Sequence, residues 1–349
     1  MTITIANRKI GSSHKPFIIA EMSANHEQSL DRALMIVEAV AKSGADAIKL
    51  QTLKPENITL DMKSSDFFIS DEKNLWSGQT LYELYQKAYL PWEWHAPIFE
   101  HAKKLGLIAL STPFDLEAVD FLESLNVPCY KIGSCENRDI PLIQKVARTG
   151  KPVIISTGMA SASELAESVQ AARDAGCRDL ILTKCTCAYP SAPIESNLRT
   201  IPHMKELFNC EVGLSDHSEG IGVSLASVAL GASVIEKHIT LTDEDTSLDA
   251  VFSLTPSRLK DLVIESTRAW EALGKVQYGP TESEVASLKY RRSLYVCDDV
   301  AEGELLTHEN VRSIRPSFGL APKFHHVIIG KRASKDLKKG EALTWEMVS

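Results

Sequence analysis

Ionisable and hydroxyl side chains lie at the ends of eight short apolar runs of this 349-residue sequence. Lys49 and Lys131 lie inside two of the runs, although lysine is rarely buried without an anionic partner. Hydroxyl side chains lie near the ends of four runs, at Thr112, Ser134, Ser156 and Ser215, and Ser134 follows the run that carries Lys131. Ammonium groups and hydroxyl donors make strong hydrogen bonds to phosphate oxygens. These residues therefore predict a phosphate site that does not use a P-loop.

Two histidines, His217 and His238, end the seventh and eighth runs. On neighbouring strands their imidazoles can converge on one divalent metal ion. Two protein ligands leave positions for water or substrate, and that open shell is what Lewis-acid catalysis requires. The tandem His325-His326 lies outside the runs, and we expect it at the surface.

The eight runs must be strands, because each is short, apolar and followed in most cases by a segment of helical period. They are 17–20, 47–50, 107–110, 129–132, 153–155, 180–182, 212–214 and 234–235. The helical segments are 30–43, 92–105, 116–125, 140–149, 162–175, 198–208, 221–230 and 256–273. Eight β-α units predict an α/β fold, a (β/α)8 TIM barrel with its active site at the carboxyl ends of the strands. An open doubly wound sheet would not need eight strands, and no G-x-G-x-x-G follows the first one.

The sequence predicts a barrel domain at 1–274, a linker at 275–290 and a small domain at 291–349. The small domain carries a repeat, since 299–311 and 336–348 share the pattern D-[VL]-x-x-G-E-x-L-T-x-x-x-V. Within the barrel, 52–90 is too long for a simple loop. This segment contains Trp76, Tyr82, Tyr85 and Tyr89 among its aromatic residues, and we expect it to cover the barrel mouth on the substrate side.

Composition narrows the class of protein. A net charge of −8 argues against nucleic-acid binding. No run approaches the ~18 apolar residues of a membrane span, and the first ten residues lack the apolar core of a signal peptide. We therefore expect a cytoplasmic protein with no membrane partner. Seven irregularly spaced cysteines predict free thiols. Cys185 and Cys187 form a C-x-C pair. We interpret them as small buried residues in preference to a soft-metal or redox site.

Long motifs in these positions resemble the N-acetylneuraminate synthase family. They are IAEMSANH at 19–26, IKLQT at 48–52, LSTPFD at 110–115, YKIGS at 130–134, ISTGM at 155–159, GLSDH at 213–217 and EKH at 236–238. The C-terminal repeat resembles the antifreeze-like (SAF, β-clip) domain of that family. Further motifs resemble its pseudaminic acid synthase branch: GQTLYELYQKA at 78–88, PWEWH at 91–95, YRRSL at 290–294 and RPSFGL at 315–320.

The resemblance implies a role for each candidate residue. Phosphoenolpyruvate would lie on Lys49, Thr112, Lys131, Ser134, Ser156 and Ser215. His217 and His238 would hold a divalent ion, Mn²⁺, Mg²⁺ or Co²⁺. Glu21, Gln51, Glu136, Tyr189 and Asp249 would face the sugar or the developing charge. Arg315 would reach the partner subunit's barrel in a homodimer that exchanges its C-terminal domains, and would hold the acetamido group there.

The implied reaction condenses phosphoenolpyruvate with 2,4-diacetamido-2,4,6-trideoxy-altrose and releases phosphate by C–O cleavage. Glu21 and Glu136 are the candidate proton carriers or cation stabilisers, and Lys131 would stabilise the departing phosphate. Alternatives are a neuraminate or legionaminate synthase, a Schiff-base aldolase that uses Lys131, and a non-catalytic sugar-binding protein. Cys187, Ser317 and the segment 246–249 depart from the family pattern, and all three could touch the sugar.

Overall fold

The computed structural model describes residues 2–349, and the chain divides into two compact units between Gly274 and Lys275. The first unit opens with a hairpin of β1 (Ile3–Ile5) and β2 (Arg8–Ile10). Eight parallel strands then close a barrel, because the last of them pairs with the first. They are β3 (Phe17–Glu21), β4 (Ala47–Thr52), β5 (Ile108–Pro113), β6 (Tyr130–Ile132), β7 (Val153–Ser156), β8 (Leu180–Cys185), β9 (Glu211–Asp216) and β10 (Val234–His238). The predicted (β/α)8 barrel is confirmed.

Helices connect and surround the strands, and each predicted helix begins and ends within two residues of an observed one. They are α1 (Leu30–Ser43), α2 (Pro55–Ile58), α3 (Leu81–Ala88), α4 (Trp92–Lys104), α5 (Leu116–Ser124), α6 (Ile140–Arg148), α7 (Ala162–Asp174), α8 (Thr200–Phe208), α9 (Gly222–Ala229) and α10 (Pro256–Leu273). Ser161 and Glu164 form the predicted capping box at the start of α7. Gly44 ends α1 at φ 83°, a left-handed conformation that glycine adopts without strain.

Side chains alternate along each strand, so every second residue points into the barrel. The lowest inward positions are apolar, and the hairpin residues Ile3, Ile5 and Ile10 pack against them and plug that end. The upper inward positions carry ionisable and hydroxyl groups instead. Outward residues pack with the helices in two larger apolar clusters. The fold therefore separates a dry, apolar lower half of the barrel from a polar upper half.

The segment between β4 and α4 is the long excursion that the sequence predicts. It contains α2, a 3-10 helix at Ser65–Phe67, and α3. Thr80 and Glu83 form a capping box that starts α3. Leu84 on that helix is buried, whereas Glu83 and Lys87 are not. One face of α3 therefore turns inward.

The second unit contains a 3-10 helix at Glu282–Tyr290, an antiparallel pair of β11 (Ser293–Val296) and β12 (Val311–Ile314), and α11 (His325–Ile328). The predicted linker 275–290 falls within this unit. The two copies of the repeat meet through an antiparallel bridge between Val300 and Leu337, which are equivalent residues. Leu306 and Leu343, also equivalent, are fully buried in one core. Each copy thus supplies apolar surface that the other covers.

Across residues 2–349, no helix combines the length and the apolar character that crossing a lipid bilayer requires.

Candidate functional site

The upper inward residues of the barrel line one cavity at the carboxyl ends of the strands. We call its base the charged floor; it consists of Lys49, Thr112, Lys131, Ser156, Ser215 and Glu236. Every residue predicted to hold the phosphate lines this cavity: Lys49, Thr112, Lys131, Ser134, Ser156 and Ser215. Strand period alone brings them together, because each lies at an inward position of its strand or just beyond the strand end.

Glu236 organises the charged floor, although the sequence analysis gave it no role. Its Oε1 atom accepts hydrogen bonds from Lys131 Nζ and from Ser215 Oγ, both at 3.1 Å. The same oxygen lies 3.5 Å from Lys49 Nζ. Lys131 also donates to Ser156 Oγ at 2.7 Å. The signal for Glu236 was present, because it lies two residues before His238 and therefore shares its inward face.

Glu21 lies behind Lys49 rather than on the cavity surface. It is fully buried, and its Oε2 atom is 2.5 Å from Lys49 Nζ. Its other carboxylate oxygen accepts from the backbone N–H of Ser23 at 3.0 Å. Lys49 in turn donates to Thr112 Oγ1 at 3.1 Å. Glu21 therefore contacts a substrate-side cation, and it is not among the residues that line the cavity.

The pKa values of the two carboxyl groups in this cluster are shifted in opposite directions. Burial alone would raise the pKa of Glu236, but the Lys131 and Lys49 ammonium groups beside it lower that pKa to about 2. Burial raises the pKa of Glu21, with the charge of Glu236 adding to the rise and Lys49 opposing it. Glu236 therefore keeps its charge beside the two lysines.

The imidazoles of His217 and His238 lie side by side above the floor, with ring centroids 5.3 Å apart. His217 Nδ1 lies 3.0 Å from the carbonyl oxygen of Thr186, and this contact fixes the orientation of the ring. Nε2 is then the nitrogen that can bind a metal ion. Desolvation lowers the pKa of both histidines, and for His238 the nearby His217 adds to the effect. Neutral imidazole is the form that binds metal ions.

The two imidazoles are suited to hold a divalent ion that has few protein ligands. His238 Nδ1 is buried without a hydrogen-bond partner among the described residues, and Asp249 Oδ2 lies 3.7 Å from it. Between residues 2 and 349, no cluster of three or more histidine, cysteine or carboxylate side chains is arranged to hold a metal. The two imidazoles would therefore hold the ion with water or substrate completing its shell, and the metal site stays a prediction.

Glu136 lines the cavity after β6, in the loop that follows Ser134. Burial raises its pKa to about 7; the Lys131 and Lys49 ammonium groups oppose the rise, and Asp139 adds to it. Its Oε2 atom is buried and has no hydrogen-bond partner in the described part of the chain. A Cβ atom at Gly133 would lie 2.4 Å from that oxygen, so glycine leaves the room for the carboxyl group.

Three of the four predicted sugar-binding residues line the same cavity: Gln51, Tyr189 and Asp249. Gln51 donates to Ser23 Oγ at 3.0 Å. The Tyr189 ring lies 4.5 Å from the His217 ring. Arg315 follows β12 in the second unit, and its predicted role stays a prediction.

The C-x-C pair also reaches this region, and all seven cysteines are free thiols. Cys185 lines the cavity, with its Sγ atom 4.0 Å from that of Cys187 and 3.9 Å from His217 Nδ1. Of the tandem histidines in the second unit, His326 is exposed and His325 is half-buried.

Comparison with known proteins agrees with this geometry. The NeuB family model matches residues 36–278, and the SAF domain model matches residues 291–349. This chain belongs to the NeuB family. The resemblance to the N-acetylneuraminate synthases and the SAF assignment are therefore confirmed, and the protein is an enzyme of this synthase class.

Individual relatives in the NeuB family extend over almost the whole chain. The pseudaminic acid synthase of Campylobacter jejuni is 45% identical over 94% of this chain and 95% of its own. The N,N'-diacetyllegionaminic acid synthase of the same species is 35% identical over 94% and 99%. The crystal structure of N-acetylneuraminic acid synthetase from Leptospira borgpetersenii, in complex with citrate, is 32% identical. It superposes with a TM-score of 0.72 over 82% of this chain and 95% of that chain.

Proposed function

We propose that this enzyme is a pseudaminic acid synthase. It condenses phosphoenolpyruvate with 2,4-diacetamido-2,4,6-trideoxy-altrose and releases phosphate. The observation that carries the proposal is the charged floor, where Lys49 and Lys131 are buried with hydroxyl donors beside two imidazoles in one cavity. The choice of sugar is supported by the 45% identity to a pseudaminic acid synthase, against 35% to a legionaminic acid synthase.

The floor binds the phosphorylated enol. Lys131 and Lys49 pair with its anionic groups, while Ser156, Ser215 and Thr112 donate hydrogen bonds from their hydroxyls. Glu236 holds both lysines in position before the substrate arrives, because its Oε1 atom is already shared between them. A preorganised set of donors costs no rearrangement during the reaction.

Bond formation begins when the methylene carbon of phosphoenolpyruvate attacks the aldehyde carbon of the open-chain sugar. Water then adds to the cationic enol carbon, and the tetrahedral intermediate expels phosphate with cleavage of the C–O bond. A divalent ion held by His217 and His238 would polarise the aldehyde. Glu136 carries a proton during these steps, since a carboxyl group with a pKa near 7 can both accept and donate one at neutral pH. Lys131 stabilises the departing phosphate.

Glu21 acts through Lys49 in this scheme. The carboxyl group touches the Lys49 ammonium group and does not line the cavity, so it positions that cation. Of the two proton carriers predicted from the sequence, Glu136 is therefore the one that the geometry supports.

The test supplies the purified enzyme with phosphoenolpyruvate and, in separate reactions, the acetamido sugar precursors of pseudaminate, legionaminate and neuraminate. We expect phosphate release that needs both substrates and is fastest with the first sugar, with the product identified by mass and NMR. Faster turnover of either other sugar would overturn the assignment of the sugar. A pyruvate adduct on Lys131 trapped by borohydride would favour the Schiff-base aldolase instead.

We also propose that the working unit is a homodimer in which Arg315 of one chain serves the barrel of the other. The support is the resemblance of the segment 315–320 to the family motif. Mixing Lys131→Met chains with Arg315→Ala chains tests it, because one intact site then forms only across two chains. Mixed chains that stay as inactive as either variant alone would contradict the exchange.

A further inference from the structure

Above the charged floor, the cavity is bounded by apolar side chains from two loops. We call this surface the outer wall; it consists of Trp76, Leu84, Tyr85, Leu248 and Phe252. The first three come from the excursion between β4 and α4, and the other two come from the segment after β10. Trp76 Nε1 donates to the carbonyl oxygen of Leu248 at 3.1 Å, so the two loops are joined over the cavity.

The excursion contains both charged and uncharged side chains, and only uncharged ones reach the cavity. The excursion residues that line it are Trp76, Leu84, Tyr85 and Ala88. The last three share one face of α3, while Glu83 and Lys87 lie on its other face. Burial raises the pKa of Tyr85 to about 12, which keeps its ring neutral. The wall therefore offers apolar surface to whatever part of the substrate reaches it.

A row of tilted ring contacts leads from the imidazole pair to the wall. The Tyr189 ring lies 4.5 Å from the His217 ring and 5.4 Å from the Trp76 ring. In the proposed reaction, the sugar aldehyde lies at the imidazole pair. Five carbon–carbon bonds of about 1.5 Å carry the other end of an open six-carbon chain about 6 Å away. A sugar that extends along these rings therefore brings its sixth carbon to Tyr189, the ring that contacts Trp76.

We propose that the outer wall, with Trp76 at its centre, selects sugars whose sixth carbon is a methyl group over sugars that carry a hydroxyl there. This inference rests on the proposed function and adds the residues that distinguish the substrate class. A hydroxyl group against this wall loses its hydrogen bonds to water, whereas a methyl group gains buried apolar contact. An apolar pocket discriminates against an added hydroxyl by no more than about 100-fold. We therefore expect a preference of about 10- to 100-fold.

The test compares two sugars, the 2,4-diacetamido-2,4,6-trideoxy substrate and its 6-hydroxy counterpart, each with phosphoenolpyruvate. The measured quantity is the ratio of the two kcat/KM values, followed by phosphate release. In Trp76→Gln, an amide that can bond the hydroxyl replaces the ring, and the ratio should fall about tenfold. The change should lie mainly in KM for the deoxy sugar, and KM for phosphoenolpyruvate should stay within about twofold, because that substrate contacts the floor.

Three further variants make the outcome specific. Trp76→Phe keeps an apolar ring and should retain the preference. Trp270 is a matched control, since it is also half-buried with its indole N–H on a backbone carbonyl oxygen, that of Ser12, and it does not line the cavity. Trp270→Gln should leave the ratio unchanged. Leu84→Gln brings an amide to the same wall and should also lower the ratio. It replaces Trp76→Gln as the test if the thermal melt shows that Trp76→Gln does not fold.

Each result decides between the claims. A wild-type ratio near one, or equal losses for both sugars in folded Trp76→Gln and Leu84→Gln, would overturn the inference and leave the proposed function standing. Absence of phosphate release with every sugar would overturn the proposed function, and the inference with it. A ratio that falls in Trp76→Gln but is retained in Trp76→Phe would support selection by the wall.

Discussion

The charged floor and the outer wall belong to the same cavity but are built in different ways. The floor consists of strand residues fixed by the barrel, and each of its charges has a partner, as Lys131 has in Glu236. The wall consists of residues from two segments that connect strands to helices, and α3 is part of one of them. Ring contacts and one hydrogen bond from Trp76 to Leu248 hold these segments. The difference suggests a division of labour, in which the floor determines whether the reaction proceeds and the wall determines which sugar enters it.

Lys131→Met is the change that should separate the two regions most strongly. Removing the ammonium group takes away a donor to the departing phosphate, and we expect kcat/KM to fall about 1,000-fold with every sugar tested. It also leaves Glu236 buried with one cation fewer, so a loss of stability of about 3–5 kcal/mol is expected. Kinetics and thermal melts measure the two effects.

Lys184→Met serves as the control for this variant. Lys184 is half-buried, donates to the Cys185 carbonyl oxygen at 2.9 Å and does not line the cavity. Its loss should leave kcat nearly unchanged. A loss of turnover as large as that of Lys131→Met would show that the floor has no special place in catalysis.

His217→Ala and His238→Ala should each reduce turnover by at least ~100-fold, since each removes a direct ligand of the proposed ion. The bound metal per chain, measured by elemental analysis, should fall in parallel. Chelation of the wild-type enzyme should have the same effect and be reversed by added Mn²⁺. His203→Ala, at an exposed position on α8, is the control. Full activity and no bound metal in the wild-type enzyme after chelation would show that the imidazoles have another role.

The sequence was sufficient to predict most of the floor and little of the wall. Side-chain direction along a strand repeats every two residues. The barrel prediction therefore also predicts that Lys49, Lys131 and Ser215 point into the barrel. Strand period places Glu236 on the inward face, two residues before His238, but the sharing of its oxygen among three donors is a matter of distances that no pattern shows. The sequence also cannot distinguish a residue that lines the cavity from one directly behind it, which is why it assigns Glu21 to the chemistry.

The wall was beyond prediction for a physical reason. Trp76 and Leu248 are 172 positions apart, and outside α3 no periodic pattern in either segment indicates which side chains turn inward. The sequence did predict that the excursion covers the barrel mouth and contains aromatic rings. Only two of those rings, Trp76 and Tyr85, line the cavity.

Glu136 lines the cavity without belonging to the floor or the wall, and Glu136→Gln tests its pKa through the pH dependence of stability. Burial raises its pKa to about 7 from an ordinary 4.5, so the folded protein retains a proton that the unfolded chain has already released. Stability therefore falls as pH rises from about 4.5 to 7. The glutamine variant has no such cost, and its melting temperature should exceed that of the wild type by a few degrees at pH 8 and match it near pH 4.5.

The same variant should lose turnover by at least ~100-fold and lose the inflection near pH 7 in kcat/KM, if Glu136 carries a proton. Glu56→Gln, exposed on α2, controls for the loss of one negative charge. A difference in melting temperature that does not change with pH would mean that Glu136 is not titrating in this range. An unchanged pH profile would assign the proton transfer to another group.

Cys187→Ser should have the smallest effect, and it sharpens the boundary of the wall. The Cys187 thiol packs beside Gly158, where an added Cβ atom would lie 2.4 Å from its Sγ. Serine is slightly smaller and keeps a polar atom there, so we expect kcat/KM to stay within about threefold of wild type, a change below 1 kcal/mol. KM for phosphoenolpyruvate should also stay within about threefold, because serine keeps a polar atom beside Ser134, one of the residues proposed to bind that substrate. Gly158→Ala should cost more, since the added Cβ atom would lie 2.4 Å from the Cys187 thiol and 2.6 Å from Ser134 Oγ. A tenfold rise in KM for phosphoenolpyruvate in Cys187→Ser would show that the loop after β8 belongs functionally to the floor, and the division between the two regions would have to be redrawn.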